Sequence, residues 1–203
     1  MNILDKNRID RKISCELIII DNFYENPIET RDFALSQDYF TNDYYPGKRT
    51  KSFSTDEHKN KIQHIIKNFG GKITTFNSNN GDNGSFQYTI SSDRSWIHTD
   101  DNDINWAGIV YLTPDAPISS GTGFFKFKDG TMNIEDQMLL NNKEITNKYS
   151  RDITKWELVD KVANKFNRLI LFKSSNFHMS LDYFGTDKYN GRLFQVFFFS
   201  TEY

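Results

Sequence analysis

The sequence predicts a mainly β protein with supporting helices near its N-terminus. From position 72 onward, short runs of β-branched and aromatic residues alternate with clusters of Asn, Gly and Ser, a texture typical of a β-sandwich or barrel. One run at helical period precedes them, with Ile62, Ile65, Ile66 and Phe69 at i, i+3, i+4 and i+7. Phe, Trp and Tyr make up 15% of the 203 residues, and a disordered chain would not carry so many large apolar groups.

One strand and one helix are expected first. The apolar run Leu17–Ile20 indicates a buried strand. A helix is expected from Pro27 to Gln37, because Asn26 suits the N-cap, Pro suits the first helical position, and Glu29 can reach back to the cap.

A second helix is predicted around the Ile stripe. Ser54 and Glu57 have the spacing of a capping box, and Gly70-Gly71 is expected to end the run. His58 and His64 fall outside the apolar stripe, so both are expected to face solvent.

The rest of the chain is predicted to form short strands. They are expected near 72–76, 85–90, 95–100, 107–112, 123–128, 156–163, 169–172, 177–181 and 192–200. A polar segment from Met132 to Arg151 interrupts this rhythm and indicates a helical or lid-like insertion at about 130–152. The length fits a single domain over 1–203, with the N-terminal strand and helices in 1–71 and the β core in 72–203.

Composition excludes several classes of function. A net charge of −2 without a basic stripe does not favour nucleic acid as the main partner. Cys15 is the one cysteine, so no internal disulfide can form, which is compatible with a reducing compartment. The early apolar run is too short for a signal sequence or a membrane span. We therefore expect a soluble cytoplasmic protein.

The segment Trp96-Ile97-His98-Thr99-Asp100 carries the main chemical signal. On a strand His98 and Asp100 project to the same face, one pleat apart. His178 opens a later strand and is the natural third ligand. Two His and one carboxylate leave three adjacent positions of an octahedral ion open, as non-haem iron(II) requires. An isolated H-x-D also occurs without metal in many chains, so the prediction depends on further features in the right order.

Arg192 starts the strongly apolar run that continues to Phe199. A guanidinium in such a strand is costly unless an anion meets it, and either a bound carboxylate or a protein Asp or Glu would serve. The hydroxyls of Tyr111 and Tyr88 are candidates to bind the same carboxylate, although each is also compatible with an ordinary core position.

Taken in order, these motifs resemble the iron(II)/2-oxoglutarate-dependent dioxygenases, specifically their prolyl-hydroxylase-like branch. The likeness covers about residues 85 to 200. The motifs are His98-x-Asp100, Tyr111-Leu112-Thr113, Gly121-Thr122-Gly123-Phe124-Phe125, Asn167-Arg168-Leu169-Ile170-Leu171-Phe172, His178 and Gly191-Arg192, with Tyr88 ten residues before His98. Two features differ from the pattern. The turn from Leu181 to Asn190 is enlarged, and Phe194 stands where Ser or Thr is frequent.

The resemblance implies a double-stranded β-helix, the cupin-like jelly roll, with N-terminal helices packed on its larger sheet. It implies Fe(II) bound by His98, Asp100 and His178, and 2-oxoglutarate as co-substrate anchored by Arg192 with Tyr111 or Tyr88. With O₂, such an enzyme hydroxylates its substrate and releases succinate and CO₂. The expected apolar pocket wall comprises Trp96, Trp106, Phe125 and Phe172.

Two alternatives stay open at this stage. One is a non-catalytic jelly-roll module that binds a small ligand, and the other is a zinc hydrolase that uses the same three ligands. The expected substrate is either a protein side chain or a small molecule.

Overall fold

The structure is a computed structural model, and it describes residues 16–76, 81–100, 103–128 and 148–202. Within these ranges the chain is mostly β. The ten strands are β1 (Leu17–Ile20), β2 (Lys48–Arg49), β3 (Lys72–Thr75), β4 (Phe86–Thr89), β5 (Trp106–Tyr111), β6 (Thr122–Phe127), β7 (Trp156–Val162), β8 (Leu169–Lys173), β9 (Phe177–Ser180) and β10 (Arg192–Glu202). The helices are α1 (Pro27–Leu35) and α2 (Asp56–Ile66), with short 3₁₀ turns at Ile118–Ser120 and Ile153–Lys155.

The strands form two antiparallel sheets. The larger sheet has seven strands in the order β1-β8-β5-β10-β4-β2, with β3 added beside the end of β10. The smaller sheet has three strands in the order β7-β6-β9. The predicted class, mainly β with N-terminal helices, is therefore confirmed.

Three apolar clusters divide the core. The first lies on one face of the larger sheet and includes Ala34, Ile62 and Ile66 from the helices. The second joins the opposite face of that sheet to the smaller sheet; its buried members are Ala107, Tyr111, Phe124, Val162, Ile170, Phe172, Phe194 and Val196. The third is built on Ile97, Phe125 and Trp156. The second cluster matters most here, because its residues come from both sheets.

Most predicted strands are present within two residues of their expected ends, but one is not. The segment 95–100 forms no strand, and only His98 pairs there, through an isolated bridge to His178. Most of the expected insertion, residues 132–147, lies outside the described residues, as does Cys15.

The start of α2 also differs from the prediction. The N-cap is Thr55, whose hydroxyl accepts a hydrogen bond from the His58 backbone N–H, so Ser54 and Glu57 do not form the capping box. His58 does not face solvent either. Its ring is half-buried and meets the Tyr24 hydroxyl at 3.1 Å. His64 is exposed as expected, whereas Phe69, expected on the buried stripe, is 42% exposed.

An acidic residue just after β1 and two basic residues just before β8 tie these two strands together at the edge of the larger sheet. Asp21 accepts hydrogen bonds from Arg168 Nε at 2.6 Å and Lys165 Nζ at 2.7 Å. These two cations lower the pKa of Asp21 to about 2. In the described part of the chain, no helix has both the length and the apolar character needed to cross a bilayer.

We expect Asp21→Asn to lower the free energy of unfolding by about 1 kcal/mol at pH 7, since the pair is partly exposed. Because the pKa of Asp21 is lower in the folded state, its stabilisation is present above pH 4 and is lost as the pH falls towards 2. Urea unfolding of wild type and variant at pH 7 and pH 3 measures this. Asp38→Asn, at an exposed carboxylate, is the control. Equal stability of wild type and D21N at pH 7 would contradict the assignment.

Candidate metal centre and anion pocket

His98 and His178 are held side by side by the backbone. His98 N–H donates to the His178 carbonyl at 3.1 Å, and His178 N–H donates to the His98 carbonyl at 2.9 Å. Residues paired in this way project their side chains to the same face of a sheet. The two ring centroids are accordingly 4.4 Å apart. On its other side His178 pairs with Phe124 of β6, which belongs to the apolar cluster between the sheets.

Each imidazole has its Nδ1 directed to a backbone carbonyl. His98 Nδ1 lies 3.0 Å from the Trp96 oxygen, and His178 Nδ1 lies 2.9 Å from the Asn176 oxygen. A carbonyl only accepts, so Nδ1 is the donor in each ring and Nε2 is the nitrogen available to a metal. This is the second-shell arrangement that orients metal-binding histidines.

Asp100 completes the group. Its Oδ2 lies 3.6 Å from His178 Nε2 and is buried without a hydrogen-bond partner. One ligand atom from each of His98, Asp100 and His178 lies within 4.8 Å of the other two. Burial lowers the pKa of His178 to about 4, although the Asp100 charge opposes this, so the ring is neutral near pH 7. Two imidazoles and an unsatisfied carboxylate oxygen are suitable donors for a divalent transition metal.

Aromatic rings form the surroundings of the His pair. Phe172 lies 4.6 Å and Phe124 6.5 Å from the His178 ring, and Trp96 lies 6.2 Å from the His98 ring. Two predicted wall residues lie elsewhere. Trp106 faces the helix-covered cluster, and Phe125 faces the third cluster, because each occupies the opposite pleat of its strand.

Arg192 is fully buried at the start of β10. Its Nε donates to the Ser120 carbonyl at 2.9 Å, whereas Nη1 and Nη2 have no hydrogen-bond partner. The guanidinium lies 4.4 Å above the Phe194 ring and 5.3 Å from the Tyr111 ring. Among the residues that the structure describes, no Asp or Glu forms an ion pair with it. The protein carboxylate considered from the sequence is thus not found there, and the two unsatisfied nitrogens of the guanidinium are donors suited to an anion.

The two tyrosines predicted to assist Arg192 lie on opposite faces of the sheet. Tyr111 is buried on the Arg192 face, and its hydroxyl is 2.8 Å from the Thr122 hydroxyl. Tyr88 pairs with Leu193 and packs in the helix-covered cluster against Tyr39, at 4.9 Å between ring centroids. The structure therefore does not bring Tyr88 to Arg192: the residue that pairs with Arg192 is Thr89, and its neighbour Tyr88 projects to the opposite face.

Two further hydroxyls near Arg192 were not selected from the sequence. Thr89 pairs with Arg192 across β4 and β10, and its Oγ1 is buried without a hydrogen bond. The Tyr183 hydroxyl, in the turn after β9, is also buried without a hydrogen bond. What identifies Thr89 is its pairing with Arg192, and that strand register is known only from the structure. For Tyr183 the useful signal was the aromatic pair Tyr183-Phe184 within the turn.

A second buried cation, Arg49, lies close enough to Asp100 to be affected by its charge. Arg49 donates through Nε and Nη2 to Gln87 Oε1 at 2.9 and 2.6 Å, and its Nη1 is 3.3 Å from Asp82 Oδ2. Burial lowers the pKa of Arg49, while the charges of Asp82 and Asp100 act in the opposite direction. Unlike Arg192, this cation is paired within the protein.

Comparison with solved structures identifies oxygenases of the predicted superfamily as similar in fold. HygX from Streptomyces hygroscopicus, solved with nickel, 2-oxoglutarate and hygromycin B, matches with a TM-score of 0.63 at 10% identity over 94% of this chain and 84% of that one. A prolyl hydroxylase from Trichoplax adhaerens, in complex with a hypoxia-inducible-factor peptide, matches with a TM-score of 0.56 and 12% sequence identity. The match covers 91% of this chain and 83% of that one. A prolyl-4-hydroxylase from Pseudomonas putida matches with a TM-score of 0.50 and 11% sequence identity, over 96% of this chain and 97% of that one. The resemblance predicted from the sequence is confirmed at the level of the fold.

Comparison of the sequence itself gives a family without an assigned activity. No curated protein matches this chain. One family model matches residues 6–199, nearly the whole sequence. The chain therefore belongs to the family described as a family of unknown function, DUF6445.

Proposed function

We propose that this protein is an Fe(II)- and 2-oxoglutarate-dependent oxygenase. In this proposal residues 1–203 form one domain, and the β core of residues 72–203 forms a double-stranded β-helix. His98, Asp100 and His178 hold the iron, and Arg192 and Tyr111 bind the distal carboxylate of 2-oxoglutarate. The observation that carries the proposal is the buried, unpaired guanidinium of Arg192, which shares one inter-sheet space with the His-Asp-His group.

The spacing between the two groups supports a short dicarboxylate. Thr122 and Phe124 lie on the same face of β6, with Phe124 beside His178 and Thr122 bonded to Tyr111 at the Arg192 end. Two residues of a strand span about 7 Å. A five-carbon dicarboxylate has a comparable length, so one end can reach the metal ligands while the other reaches Arg192.

The chain's own contribution is binding, orientation and exclusion of water. The backbone carbonyls of Trp96 and Asn176 fix the two imidazoles, and the Phe124 and Phe172 rings keep the space dry. The guanidinium is available as a two-pronged donor to a carboxylate. When bound, iron(II) with 2-oxoglutarate supplies the oxidation of substrate by O₂, with release of succinate and CO₂.

The substrate class proposed is a protein side chain or a small molecule, and hydroxylation is the proposed outcome. A zinc hydrolase would use the same three ligands, but it has no need for an unpaired cation buried beside them. A non-catalytic module would bind its ligand without turnover. Oxygen-dependent formation of succinate from 2-oxoglutarate separates these possibilities, and its absence in iron-loaded protein with every candidate substrate would reject the oxygenase.

We expect His178→Ala to bind Fe(II) more than tenfold more weakly than wild type, because even loss of a group that only orients a ligand costs ten- to hundredfold. Asp100→Asn is expected to act in the same direction, since the amide brings no charge. Metal content after anaerobic loading and desalting measures this. His64→Ala, at an exposed histidine of α2, is the matched control. Full metal occupancy in both site variants would refute the metal centre.

A second prediction separates a ligand-binding Arg192 from a structural one. Arg192→Met should leave the ligand-free protein equally or more stable, by up to about 3 kcal/mol, because removal of two unsatisfied buried donors outweighs loss of the Nε hydrogen bond to the Ser120 carbonyl. Breaking a protein ion pair would instead cost about 3–5 kcal/mol. The variant should retain iron but bind 2-oxoglutarate at least about thirtyfold more weakly, the loss expected for one partner of a buried charge pair. Urea unfolding and anaerobic titration provide both numbers, and a strongly destabilised variant would contradict the role.

A further inference from the structure

We infer that the turn between β9 and β10 closes the anion pocket, and that the hydroxyls of Tyr183 and Thr89 bind the same carboxylate as Arg192. This inference rests on the proposed function and adds two ligand-binding residues to it. They would set the length of keto acid that the pocket accepts.

The first support is a set of unsatisfied polar atoms on neighbouring residues. Thr89 Oγ1, Tyr183 Oη and the Nη1 and Nη2 atoms of Arg192 are all buried and make no hydrogen bond. Thr89 and Arg192 are paired directly across the β4–β10 ladder, so their side chains project to the same face. Buried polar groups without partners are uncommon in native proteins, and each is costly unless something fills the place. All of these groups can donate, so the missing partner is an acceptor.

The second support is the path of the turn. Leu181 N–H donates to the Gly121 carbonyl at 3.1 Å, next to Ser120, whose carbonyl holds Arg192 Nε. Four residues later, the Gly185 carbonyl accepts from Ser91 N–H at 2.9 Å, two residues beyond Thr89. Tyr183 is midway between these two anchors. The turn therefore crosses from the Ser120 side of the pocket to the Thr89 side, and it carries Tyr183 over Arg192.

The electrostatics of Tyr183 agree with this placement. Burial raises its pKa, whereas the neighbouring Ser95 hydroxyl, the Arg192 charge and the Ser180 hydroxyl lower it. Ser180 pairs with Thr122, which is bonded to Tyr111. The same hydroxyl thus lies near residues from both sheets at the Arg192 end of the space.

The ligand that fits this pocket is a carboxylate on a chain of fixed length. Two guanidinium donors and two hydroxyl donors match the acceptor sites of one carboxylate group. The aromatic faces of Phe194 and Tyr111 close the pocket on the guanidinium side. With the carboxylate fixed there, the keto-acid end of a five-carbon chain reaches the metal ligands, whereas a longer chain would have to fold.

The test is equilibrium binding of keto acids to zinc-loaded protein, which does not turn over. Tyr183→Phe and Thr89→Val remove one hydroxyl each with little change of shape. We expect each to weaken 2-oxoglutarate binding by about ten- to a hundredfold, the effect of one hydrogen bond to a charged group. Pyruvate lacks the distal carboxylate, so its affinity should not change. Tyr189→Phe, at a 62% exposed tyrosine of the same turn, is the matched control.

A structural role for either hydroxyl would give a different result. Thr89→Val should be as stable as wild type without ligand, because the Thr89 hydroxyl makes no hydrogen bond there. Tyr183→Phe should be at most slightly less stable, because only the Ser95 and Ser180 hydroxyls interact with the Tyr183 hydroxyl. Both variants should also discriminate less between 2-oxoglutarate and its six-carbon homologue. If Arg192→Met loses 2-oxoglutarate but Tyr183→Phe and Thr89→Val bind it as wild type does, this inference is wrong and the proposed function stands. If wild type binds no 2-oxoglutarate, both are wrong.

Discussion

The paired backbone hydrogen bonds between His98 and His178 are the interaction on which the candidate site depends. The segment carrying His98 and Asp100 forms no strand of its own, so this bridge holds it against β9, together with the hydrogen bond that Asp100 N–H donates to the Ser174 carbonyl in the turn before β9. Because β9 pairs in turn with β6, the bridge also sets the two imidazoles at the level of Phe124, inside the space between the sheets. A shift of the β9–β6 register by one residue would turn the His178 side chain to the other face of the sheet, away from His98 and Asp100.

The space between the sheets combines two features that proteins rarely place together. It is lined by large apolar side chains, yet it holds an unsatisfied carboxylate oxygen at one end and an unsatisfied guanidinium at the other. Ordinary core packing would have eliminated such groups or paired them with each other. Arg49 illustrates that alternative, since its charge meets Asp82 and Gln87. The contrast between the two arginines is the reason for assigning ligand binding to Arg192.

Much of this arrangement was predictable from the sequence, and the failures have a common cause. Local patterns of apolar and polar residues were sufficient to predict most strands and the first helix. They were also sufficient to select His98, Asp100 and His178 as one group. The errors at Tyr88, Trp106 and Phe125 concern which face of a strand a side chain occupies. That choice depends on the register with neighbouring strands, which a single sequence does not contain. His58 was misplaced for a similar reason, because Tyr24, its partner, is distant along the chain.

The two departures from the dioxygenase pattern, the enlarged turn and Phe194, have one joint explanation under the proposal. Phe194 projects to the same face as Arg192 and offers the guanidinium an aromatic ring but no hydroxyl. Because Phe194 brings no hydroxyl to the pocket, the hydroxyl donors for a carboxylate have to come from other residues. The turn of residues 181–190 is long enough to be anchored at both Gly121 and Ser91, and a shorter connection would not bring Tyr183 across the pocket. The length of the turn and the ring at position 194 are then linked, and a change at one is expected to require a change at the other.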